Sequence, residues 1–157
     1  MSETRKEEQA DDAAQAGLVL ADFIPYRVVA LGHIISRNLA RAYERENLTI
    51  PEWRVLAVVS QAEATAARDV ARLTPMDKMA VSRAVASLEE RGLVARRTNA
   101  RDGRVFSLSL SAEGKALFRR VARLARAYER RLLSPLSEEE QTSLKALLAR
   151  LEASESQ

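Results

Sequence analysis

The chain has 157 residues, with 25 Lys and Arg against 22 Asp and Glu for a net charge of +3, a single His and no Cys. Without Cys there is no disulfide, no thiolate zinc site and no cysteine redox switch, and one His leaves little to build a metal site from, so no metal or cofactor is expected. Ala, Leu and Arg dominate while aromatics are only 4%, which favours helices over a β-sandwich in what reads as one domain large enough to bury a core.

The charge is unevenly placed. Residues 1–12 and 137–157 each carry a net −3, residues 13–67 balance, residues 68–104 carry +4 and residues 105–136 carry +5. A localised basic region is the usual footprint of nucleic-acid binding, although a solvated Arg-rich surface has the same composition. No apolar run approaches the ~20 residues of a membrane span. The acidic, polar N-terminus has no signal-peptide character, so the expected compartment is the cytoplasm and no membrane partner is expected.

In chain order, residues 1–16 read as a disordered polar tail. A helix is predicted from Phe23 to about Glu46, with Pro25 in its first turn and Val28, Leu31, Ile35, Leu39 and Ala42 at helical spacing. Thr49 and Glu52 fit a capping box that opens a second helix to about Gln61. Thr65 is expected to cap a third helix that turns Val70 and Leu73 inward, and Thr74 to cap a fourth, with Pro75 and Asp77 in its first turn and Gly92 at its end. Two strands follow, Leu93 to Thr98 and Val105 to Leu110, joined by a turn through Asp102-Gly103. A fifth helix runs from Ser111 to about Leu133. Ser134-Pro135 breaks it, and a capping box of Ser137 and Glu140 opens the last helix, to about Glu152. The wing hairpin is the one strand pair expected.

On the fourth helix Val81, Val85 and Leu88 share an inward stripe. Lys78, Ser82 and Ala86 share an outward one, with Met79 and Arg83 at its edge. Long donors beside small residues suit a helix that enters a major groove: Arg can address guanine with both arms, and Ser can bond a base or a phosphate. The hairpin adds Arg96, Arg97, Arg101 and Arg104 within nine residues. Such a tip repels itself unless anions are near, and it can reach a narrow, negative minor groove, with Asp102 able to orient a guanidinium. No nucleophile elbow, phosphate loop or metal cluster is present, so an enzyme is not expected.

The segments LTIPEWRVLAVVS and ARDVARLTPMDKMAVSRAVASLEERGLVARRTNARDGRVFSLSLSAEGKAL, with the Val81-Ser82-Arg83 step, the Asp102-Gly103-Arg104 triplet and Leu110-Ser111-Ala112-Glu113-Gly114, resemble the MarR family of transcription regulators over about residues 20–152. Ser111 stands where Thr is commonest. The resemblance implies a mainly α fold: a winged helix-turn-helix over 49–111, with a small β-hairpin wing, and a helical dimerisation region over 17–48 and 112–154. It implies a homodimer on double-stranded DNA, with Met76, Lys78, Ser82 and Arg83 towards the major groove and Thr74 counted at the head of the same face. Arg104, supported by Asp102, would enter the minor groove, and Arg97 and Arg101 would meet phosphate or the groove edge.

Dimerisation is also suggested by the helical stripes of Leu117, Val121, Leu124, Tyr128 and Leu132 and of Leu144, Leu147, Leu148 and Leu151, which lack an obvious partner in a small winged domain. Packing within one chain is the alternative. The resemblance further implies a pocket for a small anionic aromatic effector, for which Tyr26, His33 and Trp53 could form the wall and Arg37 or Arg54 the charge partner; structural roles for His33 and Trp53, and a pH response of His33, stay open. The expected function is a sequence-specific repressor that binds an inverted repeat and is released by such an effector. A winged-helix module for protein contacts and an effector-independent regulator are the alternatives.

Overall fold

The computed structural model describes residues 18–98 and 106–155, apart from the side chains at 97, 98 and 106. The expected N-terminal tail and the tip of the wing lie outside the described residues. The chain divides into two compact units, Met1–Asn38 and Leu39–Gln157.

The described part of the first unit is a turn followed by most of helix α1 (Ile24–Ala42), which begins one residue later than predicted and continues into the second unit. Pro25 fits the first turn, where an N–H would lack a partner anyway. This segment is rich in exposed apolar side chains: Phe23, Ile24, Tyr26, Val28, Val29, Leu31 and Ile34 all face outward.

The second unit starts with the end of α1 and a short 3-10 turn (Glu44–Glu46), which closes at Asn47 in the left-handed conformation, φ 53°. Thr49 then caps α2 (Ile50–Val59). Its hydroxyl accepts from the Glu52 N–H at 3.3 Å, and the Glu52 carboxylate accepts from the Thr49 N–H at 2.8 Å. This is the predicted capping box.

Two caps differ from expectation. Thr65 does not cap a helix: Thr65–Ala66 form a short strand, β1, opposite Leu108 and Ser107, and α3 (Ala67–Leu73) follows without a side-chain cap. Thr74 does not open the fourth helix either. Its hydroxyl donates to the Val70 carbonyl at 2.7 Å and closes α3 instead. The cap of α4 (Lys78–Glu90) is Asp77, whose carboxylate accepts from the Ala80 N–H at 2.6 Å. Asp77 supplies an acceptor and a negative charge at the positive end of the helix, whereas Thr74 is separated from that end by Pro75 and Met76. α4 ends as predicted at Gly92, where φ is +67° and the Leu93 N–H reaches back to the Leu88 carbonyl at 2.9 Å.

β2 (Val94–Thr98) and β3 (Phe106–Leu110) pair antiparallel, with Arg96 opposite Leu108. With β1 they make a three-stranded sheet in the order β1-β3-β2, one strand more than expected. α5 (Ala112–Leu133) starts at the Ser111 cap, and α6 (Glu138–Glu155) at the predicted Ser137–Glu140 capping box. Gly114 explains how α5 joins the wing: a Cβ here would overlap the Leu93 carbonyl oxygen, the atom that also accepts from the Ser111 N–H at 3.1 Å.

The core of this unit gathers Tyr43, Val55, Leu56, Val59, Val70, Val85, Leu88, Leu108 and Val121, each almost without solvent exposure. It lies between α2, α3, α4, the sheet and the first half of α5. α4 is therefore held from behind by packing, and its outer face is left open.

Candidate nucleic-acid interface

α4 turns Val81, Ala84, Val85 and Leu88 into the core, as its 3.6-residue period predicts. Lys78, Met79, Ser82, Arg83 and Ala86 are exposed. The open face thus presents an ammonium, a hydroxyl and a guanidinium on a surface otherwise made of small or flexible side chains.

A cleft runs along each flank of this helix. One, of about 310 Å3, has a floor of Ala67, Ala71, Val81 and Val85 and a rim of Arg68, Lys78, Ser82 and Arg96. The other, of about 250 Å3, lies between α4 and the start of α2 and contains Glu52, Arg83 and Ser87. Arg96 on β2 pairs with Glu89 of α4 at 3.1 Å, which ties the wing to the helix. Arg68 was not among the expected residues, and Arg96 was expected only as part of the Arg-rich hairpin. Their place beside Lys78 follows from the packing of α3 and β2, which helical spacing along α4 does not report.

The other expected DNA residues are placed as follows. Thr74 uses its hydroxyl on the α3 carbonyl, and Met76 is half-buried against the core. Arg97 pairs through its backbone with Ser107. Arg101, Asp102 and Arg104 lie outside the described residues.

Glu52 joins α2 to α4. Its Oε1 accepts from the Ser87 hydroxyl at 2.6 Å and lies 3.4 Å from Arg91 Nη1, while its Oε2 serves the Thr49 cap. Burial pushes this carboxyl towards a higher pKa. The hydrogen bonds from Ser87 and Thr49, with the charge of Arg91, outweigh burial and hold it below the ordinary glutamate value.

The five residues expected at an effector are divided between the units. Tyr26, His33 and Arg37 are exposed on α1 in the first. In the second, Trp53 lies between Tyr43 and Phe118, with ring centroids 5.9 and 5.8 Å away. Arg54 acts on Tyr43: burial raises the phenol pKa and the Arg54 charge lowers it part of the way back. A groove of about 520 Å3 in the second unit is lined by none of the five. Its walls include Ser60, Glu63, Lys115, Phe118 and Arg119, drawn from the end of α2, the loop after it and the first turns of α5. Sequence reasoning missed it because Lys115 and Arg119 read as ordinary solvated charges on an amphipathic helix.

Of the expected dimer residues, Leu124, Leu144, Leu147, Leu148 and Leu151 are exposed, and α6 buries none of its side chains. Tyr128 is buried within its own chain and carries the Arg131 guanidinium over its ring at 5.3 Å.

The family model of MarR regulators matches residues 46–105, the span from the 3-10 turn to the wing. The HTH-type transcriptional repressor Mb2911 of Mycobacterium bovis is 30% identical over 134 residues, which cover 84% of this chain and 96% of that protein. A MarR/EmrR family regulator from Acinetobacter sp. ADP1 superposes with a TM-score of 0.80 at 25% identity, covering 87% of this chain and 97% of the other. CouR from Rhodococcus jostii RHA1, solved bound to p-coumaroyl-CoA, shares the fold with a TM-score of 0.77 at 22% identity over 86% of this chain and 95% of its own. The winged fold with its open α4, the matched family model and a relative aligned over nearly its whole length lead to one assignment: the chain belongs to the MarR family of transcriptional regulators.

Proposed function

We propose that the chain is a repressor that binds an inverted-repeat operator as a homodimer and lets go when a small aromatic acid binds. The observation that supports it most is the exposed Lys78–Ser82–Arg83 face of α4, backed by a packed core and flanked by clefts with Arg68 and Arg96 on one side. Arg83 is assigned to base edges, Lys78 and Ser82 to bases or phosphates, and Arg104, with Asp102, to the minor groove. Dimerisation is assigned to the terminal helices, because α6 exposes Leu144, Leu147, Leu148 and Leu151 and the first unit exposes its own apolar residues.

The effector is assigned to the groove beside Phe118, whose ring offers a stacking surface while Lys115 and Arg119 offer cations for a carboxylate. Its volume suits a compact ligand of that class. Trp53 supports Phe118 from behind at 5.8 Å and so keeps a part in the site. Release then requires that the ligand prefer one dimer geometry over the other, since it can shift the population only by that difference in affinity.

Binding to a preferred duplex, followed by titration with benzoate-type acids, tests the reading. The wild type should bind with strong salt dependence and be released by a subset of the acids. Arg83→Ala should relax preference at one base position, at a cost of about 1–3 kcal/mol. Uniform loss on every duplex would reassign Arg83 to phosphate, and acids that bind without changing DNA affinity would remove the effector from the account.

A further inference from the structure

We propose that Glu52 is a positioning residue for the recognition helix: its carboxylate latches α2 to the Ser87–Arg91 face of α4 and so sets the rotation at which Arg83 meets DNA. The inference rests on the DNA-binding reading above and goes beyond it, because Glu52 itself is buried, with only 5% of its surface exposed, and does not reach the open face.

Arg83 and Ser87 on α4 and Arg91 at its C-cap are spaced four residues apart, so they form one row on the side of the helix nearest the start of α2. Arg83 and Ser87 share a cleft with Glu52 and Thr49. The latch is polar and directional: the Ser87 hydroxyl meets Oε1 at 2.6 Å, and Arg91 lies at 3.4 Å from the same oxygen. The hydrophobic burial behind α4 carries no directional requirement of its own. A 2.6 Å bond adds one, because hydrogen bonds weaken steeply as distance and angle depart from ideal. Base contacts need a constellation held within about 0.5 Å and 10–20°, which the apolar core alone does not guarantee.

The acceptor count explains why the residue is Glu. A capping box works with Glu or Gln. Here, however, Oε2 is engaged by the Thr49 N–H and hydroxyl while Oε1 is engaged by Ser87 and Arg91. Gln has one acceptor oxygen: with that oxygen in the cap, its amide offers Ser87 an N–H in place of an acceptor, and Arg91 loses its charged partner. Replacing a whole buried ion pair by well-packed apolar residues often leaves stability little changed, and some systems retain such pairs because they fix one arrangement.

The test compares the full-length wild type with Ser87→Ala, Ser87→Thr, Glu52→Gln and the double variant Glu52→Gln/Ser87→Ala. Each is measured on the duplex enriched from a random pool and on unrelated duplex of the same length. Ser87→Ala leaves the cap intact and should bind the enriched duplex about tenfold more weakly, with unrelated duplex bound as before. Ser87→Thr, which keeps the hydroxyl, should restore the preference. The double variant should lose less than the sum of the two single losses, since both act on the bond between Ser87 and Glu52. Undiminished preference in Ser87→Ala, equal loss on both duplexes, no rescue by Thr, or additive losses would each overturn the latch. A wild type without any preferred duplex would instead overturn the DNA-binding reading on which the latch depends.

Discussion

Glu52 divides its two oxygens between a local job and a distant one, and the two were unequally legible in the sequence. The cap was visible because Thr49 and Glu52 stand at the fixed spacing of a capping box. The partners Ser87 and Arg91 were not, being 35 and 39 residues away, since periodicity reports which residues share a face and not what the face meets. The Thr74 and Asp77 caps show the same boundary: both residue types cap helices, and the choice fell to the backbone between them, where Thr74 is extended and bonds back to α3. A pH prediction belongs at this scale. The folded pKa of Glu52 lies below its ordinary value near 4.5, so in the interval between them the unfolded chain binds more protons than the folded one. The stabilisation from this group is therefore fully present above the ordinary value and is lost as pH falls through the lowered one. Urea unfolding across that range should show a shallower acid loss for Glu52→Gln than for the wild type; parallel curves would mean that the carboxylate is not held by these bonds.

The long helices and the wing pairing were readable because each has a period and a stop signal. α4 (Lys78–Glu90), with Gly92 just beyond its end, and α5 (Ala112–Leu133), capped by Ser111, follow their apolar stripes and stop signals closely. The third strand was missed because Thr65–Ala66 is too short to show alternation, and its only local cue, a Thr before a helix, is shared with an N-cap. The junction of wing and α5 depends on Gly114, where a Cβ would overlap the Leu93 carbonyl oxygen. That oxygen is backbone and already accepts from Ser111, so it cannot simply move aside. Gly114→Ala should cost about 1–3 kcal/mol in urea unfolding, the usual range for overpacking. Wild-type stability in this variant would show that α5 does not approach the wing so closely.

The molecule as a whole combines a basic middle, acidic ends and apolar surfaces left open on the first unit and on α6. Stripe patterning and the Arg-rich hairpin pointed to a DNA-binding winged helix, and the resemblance of the motifs pointed to its family. They did not carry the proposed effector groove, whose cations Lys115 and Arg119 acquire meaning only when α5 packs beside the end of α2 and β3. The central claim is that two copies present their α4 helices to DNA together, about one helical turn or ~34 Å apart. Selection of bound sequences from random duplex by the purified protein at near-physiological salt tests this most directly. The account predicts an enriched inverted repeat with half-site centres about one turn apart. Weak binding that salt erases, with no enriched sequence, would contradict it and favour a winged helix that meets an acidic protein instead.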